Sequence, residues 1–199
     1  MRKKSKFKII LIAMAVVVII AGFFVFKKGL DNGTVFNDIK SGFSNEDTSN
    51  DLVSRVEESK SSLSDLQSGK KQTYTHAEIG FSFDYPEGYN IGEFSDGLDG
   101  EQQLLVQKDS VGFQLKITPF EEDVTLTEER IEEDVPDIVI NEPIQIKVGE
   151  AIALAFLSES ESLGQTREVW WVYRGYLYQI TTYTEFDETM VKILETWRF

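Results

Sequence analysis

The chain has 199 residues, no cysteine and a formal net charge of -14, enough for one ordinary domain plus appendages, since domains commonly run to ~100-150 residues. Without a thiol there are no disulfides, thiolate metal sites, cysteine nucleophiles or cysteine-linked lipid anchors. The acidity is concentrated after residue 74 and should repel nucleic acid and anionic lipid rather than bind them.

Residues 1–8 (MRKKSKFK) are strongly basic. The unbroken apolar run 9–26 (IILIAMAVVVIIAGFFVF) follows, beginning with Ile9, ending with Phe26 and preceding Lys27 and Lys28. As a helix it would span roughly 27 Å at ~1.5 Å per residue, close to the ~30 Å hydrocarbon core of a bilayer. A cleavable signal peptide would have a shorter apolar region ending in a small-x-small site. Here cuts after Ala21 or Gly22 place Ile19 or Ile20 at the bulky minus-three position, and Phe23 to Phe26 prolong the run. A pilin-type N-terminus would need a preceding Gly and an early acid, and neither is present. The expectation is an uncleaved single-pass transmembrane helix at the cell membrane. Five Lys/Arg precede the run and two follow it, so the N-terminus stays in the cytoplasm and the remainder is extracytoplasmic.

Residues 27–73 read as a polar linker, too poor in apolar groups to bury a core. Within it Leu52, Val56, Leu63 and Leu66 recur at helical spacing, with Ser59 in the stripe, predicting a short amphipathic helix near 51–67. It would be capped by Asn50 or Asp51 and closed near Gly69. Such a helix can pack on its own domain or self-associate as a weak coiled coil; two heptads favour the former.

Residues 74–199 change to alternating periodicity. Ile79, Phe81, Phe83 and Tyr85 share a strand face before the turn at Pro86-Glu87-Gly88, and a second strand covers 89–94. Leu104 to Gln107 pairs with Val111, Phe113, Leu115 and Ile117 through Lys108-Asp109-Ser110. TLTEERIEED, residues 125–134, carries a Thr125-x-x-Glu128 capping box and predicts a short acidic surface helix. Ile144, Ile146 and Val148 form another strand, and the apolar run 151–157 suits a strand covered on both faces. Strands 166–173 and 176–183 meet at a two-residue hairpin turn, Arg174-Gly175. Phe186, Met190, Val191, Ile193 and Leu194 then mark a closing amphipathic helix entered at Thr184. The class is α+β, an antiparallel β-sheet flanked by helices.

GFSFDYPEGYNI, GEAIALAF, the hairpin VWWVYRGYLYQIT and the ending ILETWRF together resemble the PsbP-like family over about residues 74–199. The resemblance implies an extracytoplasmic α/β/α sandwich and brings no catalytic motif. The chain departs from the family's lipoprotein members in having an apolar helix where they carry a lipidated cysteine.

Among chemical groups, His76 is the only imidazole and, beside polar residues at the domain entrance, is expected to be solvated. No nucleophile elbow, phosphate loop or dinucleotide fingerprint occurs, and no metal or cofactor is expected. Asp96, Asp99 and Glu101 lack the spacing of a calcium loop. Glu121, Glu122, Asp123 and the acids of 128–134 read as a solvated face. The aromatic hairpin is the most informative segment: Val169, Trp171 and Tyr173 point one way, Trp170 and Val172 the other. Trp170, Trp171, Tyr173, Tyr176 and Tyr178 either fill a doubly covered sheet or line a groove for a protein partner or small ligand. The functional expectation is a membrane-anchored binding or assembly module. A carboxylate-dependent hydrolase and a structural stalk component are the alternatives.

Overall fold

The computed structural model describes residues 47–95, 100–160 and 163–199. The proposed transmembrane run 9–26 lies outside the described residues. Among those described, no helix is long and apolar enough to cross a membrane.

Helix α1, Asp47–Gln67, leads into a small hairpin of β1, Lys71–Thr75, and β2, Ser82–Pro86. The main sheet comprises β3 (Asn90–Ser95), β4 (Gln102–Lys108), β5 (Val111–Pro119), β6 (Asn141–Val148), β7 (Ala151–Ser160), β8 (Gly164–Tyr173) and β9 (Tyr176–Tyr183). It is antiparallel throughout, in the order β3-β4-β5-β9-β8-β7-β6. Helix α2, Glu128–Asp134, separates β5 from β6. A 3-10 turn at Thr184–Phe186 and helix α3, Asp187–Glu195, close the chain. The expected α+β architecture of antiparallel sheet and helices is thus present.

Local chemistry sets the connections. Arg174 and Gly175 both hold positive φ, 48° and 82°, the geometry whose twist matches a right-handed strand pair. At Gly112 a Cβ would fall 2.1 Å from the Val106 carbonyl oxygen, so only glycine allows β5 to approach β4 there.

The sheet has two unlike faces. On one lie α1, α3, the β1-β2 hairpin and the C-terminal Trp197, enclosing a core of Phe81, Phe83, Phe113, Trp171 and Tyr178. On the other, the segment 120–140 covers a smaller cluster of Phe120, Leu126, Ile131, Phe156, Trp170 and Leu177. Strand β7 divides between them as its alternation requires: Ala153 and Ala155 face the larger cluster, Leu154 and Phe156 the smaller.

Three boundaries and one facing differ from the sequence expectation. Helix α1 starts at Asp47, before Asn50 and Asp51, and docks on its own domain, the alternative to a coiled coil that its short length favours. Its buried centre is Ser59 and Ser62, with Leu66 against the core, while Leu52 and Val53 face outward. The folded unit therefore begins well before residue 74, and β1 pairs with β2 from Lys71 onward. The cap of α2 is Thr127, whose Oγ1 accepts from the Arg130 N–H at 3.3 Å, rather than Thr125; Leu126 is buried as extended chain ahead of the helix. Val191 is 50% exposed, because a helix turns ~100° per residue and the inward stripe is already filled by Met190, Ile193 and Leu194.

Candidate functional site

The five aromatic residues expected to form a groove do not share one surface. Trp171 and Tyr178 are fully buried and stack on each other, with centroids 5.0 Å apart and planes 2° apart. Trp197 meets Trp171 edge-on at 5.3 Å. Tyr173 packs against Phe199 at 4.0 Å and donates its hydroxyl to the Glu150 carboxylate. Tyr176 contacts Tyr178 edge-on. Trp170 lies on the opposite face, edge-on to Phe156 at 5.5 Å. The groove reading fails because the residues alternate across a sheet covered on both sides, and the closing helix and Trp197 fill the space a ligand would occupy.

His76 also departs from expectation. It is 6% exposed, stacked on Phe81 at 5.1 Å, and its Nδ1 accepts the Ile79 N–H at 3.2 Å. The turn that returns the chain to β2, with Gly80 N–H donating to the His76 carbonyl at 3.0 Å, folds the ring inward. Of the calcium candidates, Asp96 and Asp99 lie outside the described residues, and Glu101 pairs with Lys116 at 2.7 Å. Among the described residues, no group of three acids or imidazoles is placed to hold a metal ion. The acids of 121–123 are exposed, and Glu122 and Asp134 pair with Arg130.

The chemistry instead gathers on the second face, beside the smaller cluster, where polar side chains from the central strands stand in rows. Residues directly opposite in a ladder project to the same side. One row runs Glu168, Thr181, Gln114, Leu105 across β8, β9, β5 and β4; the next runs Trp170, Gln179, Lys116, Gln103 and Phe94, reaching edge strand β3.

Glu168 is buried at the head of the first row. Its Oε1 accepts from Thr166 Oγ1 at 2.9 Å, and its Oε2 from Trp170 Nε1 at 3.1 Å and Thr181 Oγ1 at 2.8 Å. Burial pushes its pKa from 4.5 up to about 7, against the opposing pull of the three donors. The desolvation of the charged form wins, so this carboxyl carries a proton through mildly acidic pH.

The glutamines of the two rows are less completely paired. Gln179 is 4% exposed, and neither its Nε2 nor its Oε1 has a partner. Gln114, 7% exposed, donates Nε2 to Gln103 Oε1 at 2.9 Å, while its own Oε1 is unpartnered. Buried amides are normally satisfied, and here neighbouring amide atoms are enclosed without a partner. Phe94, 42% exposed, ends the row. Its ring lies over Gly92, where a Cβ would come within 2.9 Å of Phe94 Cε2.

No family model and no curated protein matches the chain. Among solved structures, the solution structure of cyanobacterial PsbP (CyanoP) from Synechocystis sp. PCC 6803 is similar with a TM-score of 0.45 and 11% identity, over 65% of this chain and 92% of that one. A crystal structure from Bacteroides thetaiotaomicron VPI-5482 is similar with a TM-score of 0.38 and 15% identity, over 65% of this chain and 48% of that one. Neither gives any residue a role.

Proposed function

We propose that the chain is a membrane-anchored extracytoplasmic binding module with a PsbP-like α/β/α domain. Residues 9–26 hold it in the bilayer and the second face of its sheet receives a partner or small ligand. The apolar length and the basic flank support the anchor and its direction. The binding role is carried by one observation, the buried Gln179 amide with both polar atoms unpartnered beside the open Gln114 carbonyl. Both amides are enclosed in the unliganded protein, where leaving their atoms unpaired costs free energy; a ligand recovers it when its binding exposes them.

Topology and binding are tested separately. Protease added to intact cells should remove the domain and leave a membrane-embedded stub; a fully protected domain would overturn the topology. In-cell cross-linking with residues of the second face as attachment points, followed by isolation from solubilised membranes, should recover a partner or ligand adduct. Recovery of the unadducted chain alone, from every attachment point, would sink the binding role.

A further inference from the structure

The segment 120–140 lies on the second face but is hardly bonded to it. It donates one backbone hydrogen bond to the sheet, from the Phe120 N–H to the Gly175 carbonyl at 2.7 Å. Beyond that residue and up to β6, its bonds among the described residues stay inside the segment: Thr127 caps α2, and Arg130 pairs with Glu122 and Asp134. Apolar packing supplies the rest of the hold, with Leu126 and Ile131 in one cluster with Phe156, Trp170 and Leu177. Helix α2 has seven residues, too few to stand without that packing. An element tied down in this way is the first to open locally.

Its seat is Trp170. A small cleft separates this indole and Leu177 from Leu126, Arg130 and Ile131 of the segment, and on its other side the indole Nε1 donates to Glu168 Oε2. The groups facing Glu168 offer it no cation. Strand β7 presents Phe156 and β9 presents Thr181, its two ladder neighbours. Lys116 of β5 is paired with Glu101, and the segment's Arg130, beside Trp170, is paired with Asp134. When Glu168 is protonated every bond is kept: its Oε1–H donates to the Thr166 hydroxyl, while Oε2 still accepts from Trp170 and Thr181. When it ionises, three neutral donors remain around an enclosed charge, which only water can stabilise further. Lifting the segment and freeing the indole is the opening that breaks the fewest bonds.

We propose that Glu168 is a proton switch acting through Trp170 on the segment 120–140, which is closed over the second face when the carboxyl is protonated and released when it is ionised. Release uncovers Trp170 beside Gln179, its ladder partner. The switch is thus the regulation of the face that the binding-module reading assigns to a partner, and it rests on that reading for the use made of the opened face.

Amide hydrogen exchange of the full chain in detergent micelles, followed by mass spectrometry from about pH 5 to about pH 8, tests this across the Glu168 midpoint of about 7. Rates are corrected for the intrinsic pH dependence of exchange. Protection of the amides of 121–140 should fall by about tenfold or more over that range, because the open form releases a proton that the closed form holds. Protection in β5, β8 and β9 should fall far less. Glu168→Gln keeps a neutral side chain under the segment and should leave its protection level across the range. Thr181→Val removes one donor to the ionised form without touching the segment, and should move the midpoint of the loss to higher pH. A carboxyl with a merely structural role would not shift that midpoint.

Equal protection of the segment at both ends of the range would overturn the switch, as would a loss of the same size in β5, β8 and β9, which would mark unfolding of the whole domain. Persistence of the loss in Glu168→Gln would overturn it too. Should Glu168→Gln fail to fold, the midpoint in Thr181→Val decides, and an unmoved midpoint removes Glu168 as the trigger. Exchange requires no ligand, so a segment that ignores pH ends the switch and leaves the cross-linking test of the binding role standing. A segment that responds, in a protein that yields no adduct at either pH, keeps the switch and loses the binding role.

Discussion

The two faces of the seven-stranded sheet are built from the same strands by opposite rules. The face under α1 and α3 is closed with aromatic rings, Phe81 stacking on Trp197 at 4.9 Å and Trp171 on Tyr178 at 5.0 Å. Even there, Trp171 Nε1, Tyr178 Oη and Trp197 Nε1 are enclosed without hydrogen-bond partners. The other face is apolar only beneath residues 120–140. Beyond that cover it carries a protonatable carboxyl, two glutamines and a lysine. Close packing on the first face outweighs its polar losses; on the second, polar groups occupy positions that an apolar layer would have used to stabilise the fold. Stability should therefore reside in the first face and condition-dependence in the second, a contrast that substitutions can test.

The largest effect belongs to the ring at the centre of the first face. Trp171→Ala removes a fully buried indole that contacts Tyr178 and Trp197. It should cost about 3-5 kcal/mol, the usual range for aromatic truncation in a core. Urea unfolding of the folded domain measures it; a loss under ~1 kcal/mol would show that this face does not dominate stability.

On the second face the largest effect is a dependence on pH. The Glu168 carboxyl has its pKa raised from 4.5 to about 7 by burial. Between those values the unfolded chain has released the proton that the folded chain still holds. The native state then binds more protons, so stability falls as pH rises. This contribution is fully present below about pH 4.5, lost as pH passes 7, and flat above; over the window it amounts to roughly 3 kcal/mol. Asp84, which burial pushes up but Lys71, Thr73 and Arg198 together hold below its ordinary value, titrates at more acid pH and does not mask it. Glu168→Gln should abolish most of the slope between pH 5 and 8, and a slope unchanged in that variant would remove Glu168 as its source.

These two predictions concern residues of very different legibility in the sequence. The first face was readable: strict alternation in Phe113, Leu115, Ile117 and in Val169, Trp171 assigns those residues inward, and Arg174-Gly175 marks the turn that sets their register. The second face was not. Gln114, Lys116 and Thr118 alternate with those same apolar residues and read as an ordinary solvated edge. They are enclosed because β5 pairs with both β4 and β9, a fact of long-range topology. The in-phase polar pattern of Thr166, Glu168 and Trp170 on a strand expected to be central was the available signal, obscured by the aromatics beside it. The burial of His76 is hidden from the sequence for a related reason. Its neighbours in sequence are polar, but the turn back to Phe81 fixes its surroundings.

Helix α1 gives the next smaller effect, because it is joined to the first face by hydroxyls. Ser62 Oγ donates to the Glu58 carbonyl at 2.7 Å, so its single proton is used. The 2.7 Å contact with Tyr89 must then be donated by the tyrosine. Ser62→Ala leaves the buried phenol without an acceptor and should cost about 1-3 kcal/mol; Tyr89→Phe leaves a serine still bonded within its helix and should cost about half of that. A double-mutant cycle should yield a coupling near 1 kcal/mol. Equal single losses with no coupling would mean that the helix docks without this bond.

The smallest effect bears most directly on how the first face tolerates polar atoms. Tyr178 Oη is enclosed with no partner, and burial pushes its pKa well above the ordinary phenol range. Its ring, parallel to Trp171 and edge-on to Phe81 at 5.9 Å, is what the core uses. Tyr178→Phe keeps that ring and deletes only the unsatisfied hydroxyl. Stability should stay level or rise by up to ~1 kcal/mol, since burying a hydroxyl without a bond is itself a cost. The same logic separates the two faces: Gln179→Leu should also leave stability level, yet only Gln179→Leu should impair binding. A Tyr178→Phe protein destabilised by more than ~1 kcal/mol would show that the hydroxyl is hydrogen-bonded in solution. The first face would then share the open polar character assigned to the second.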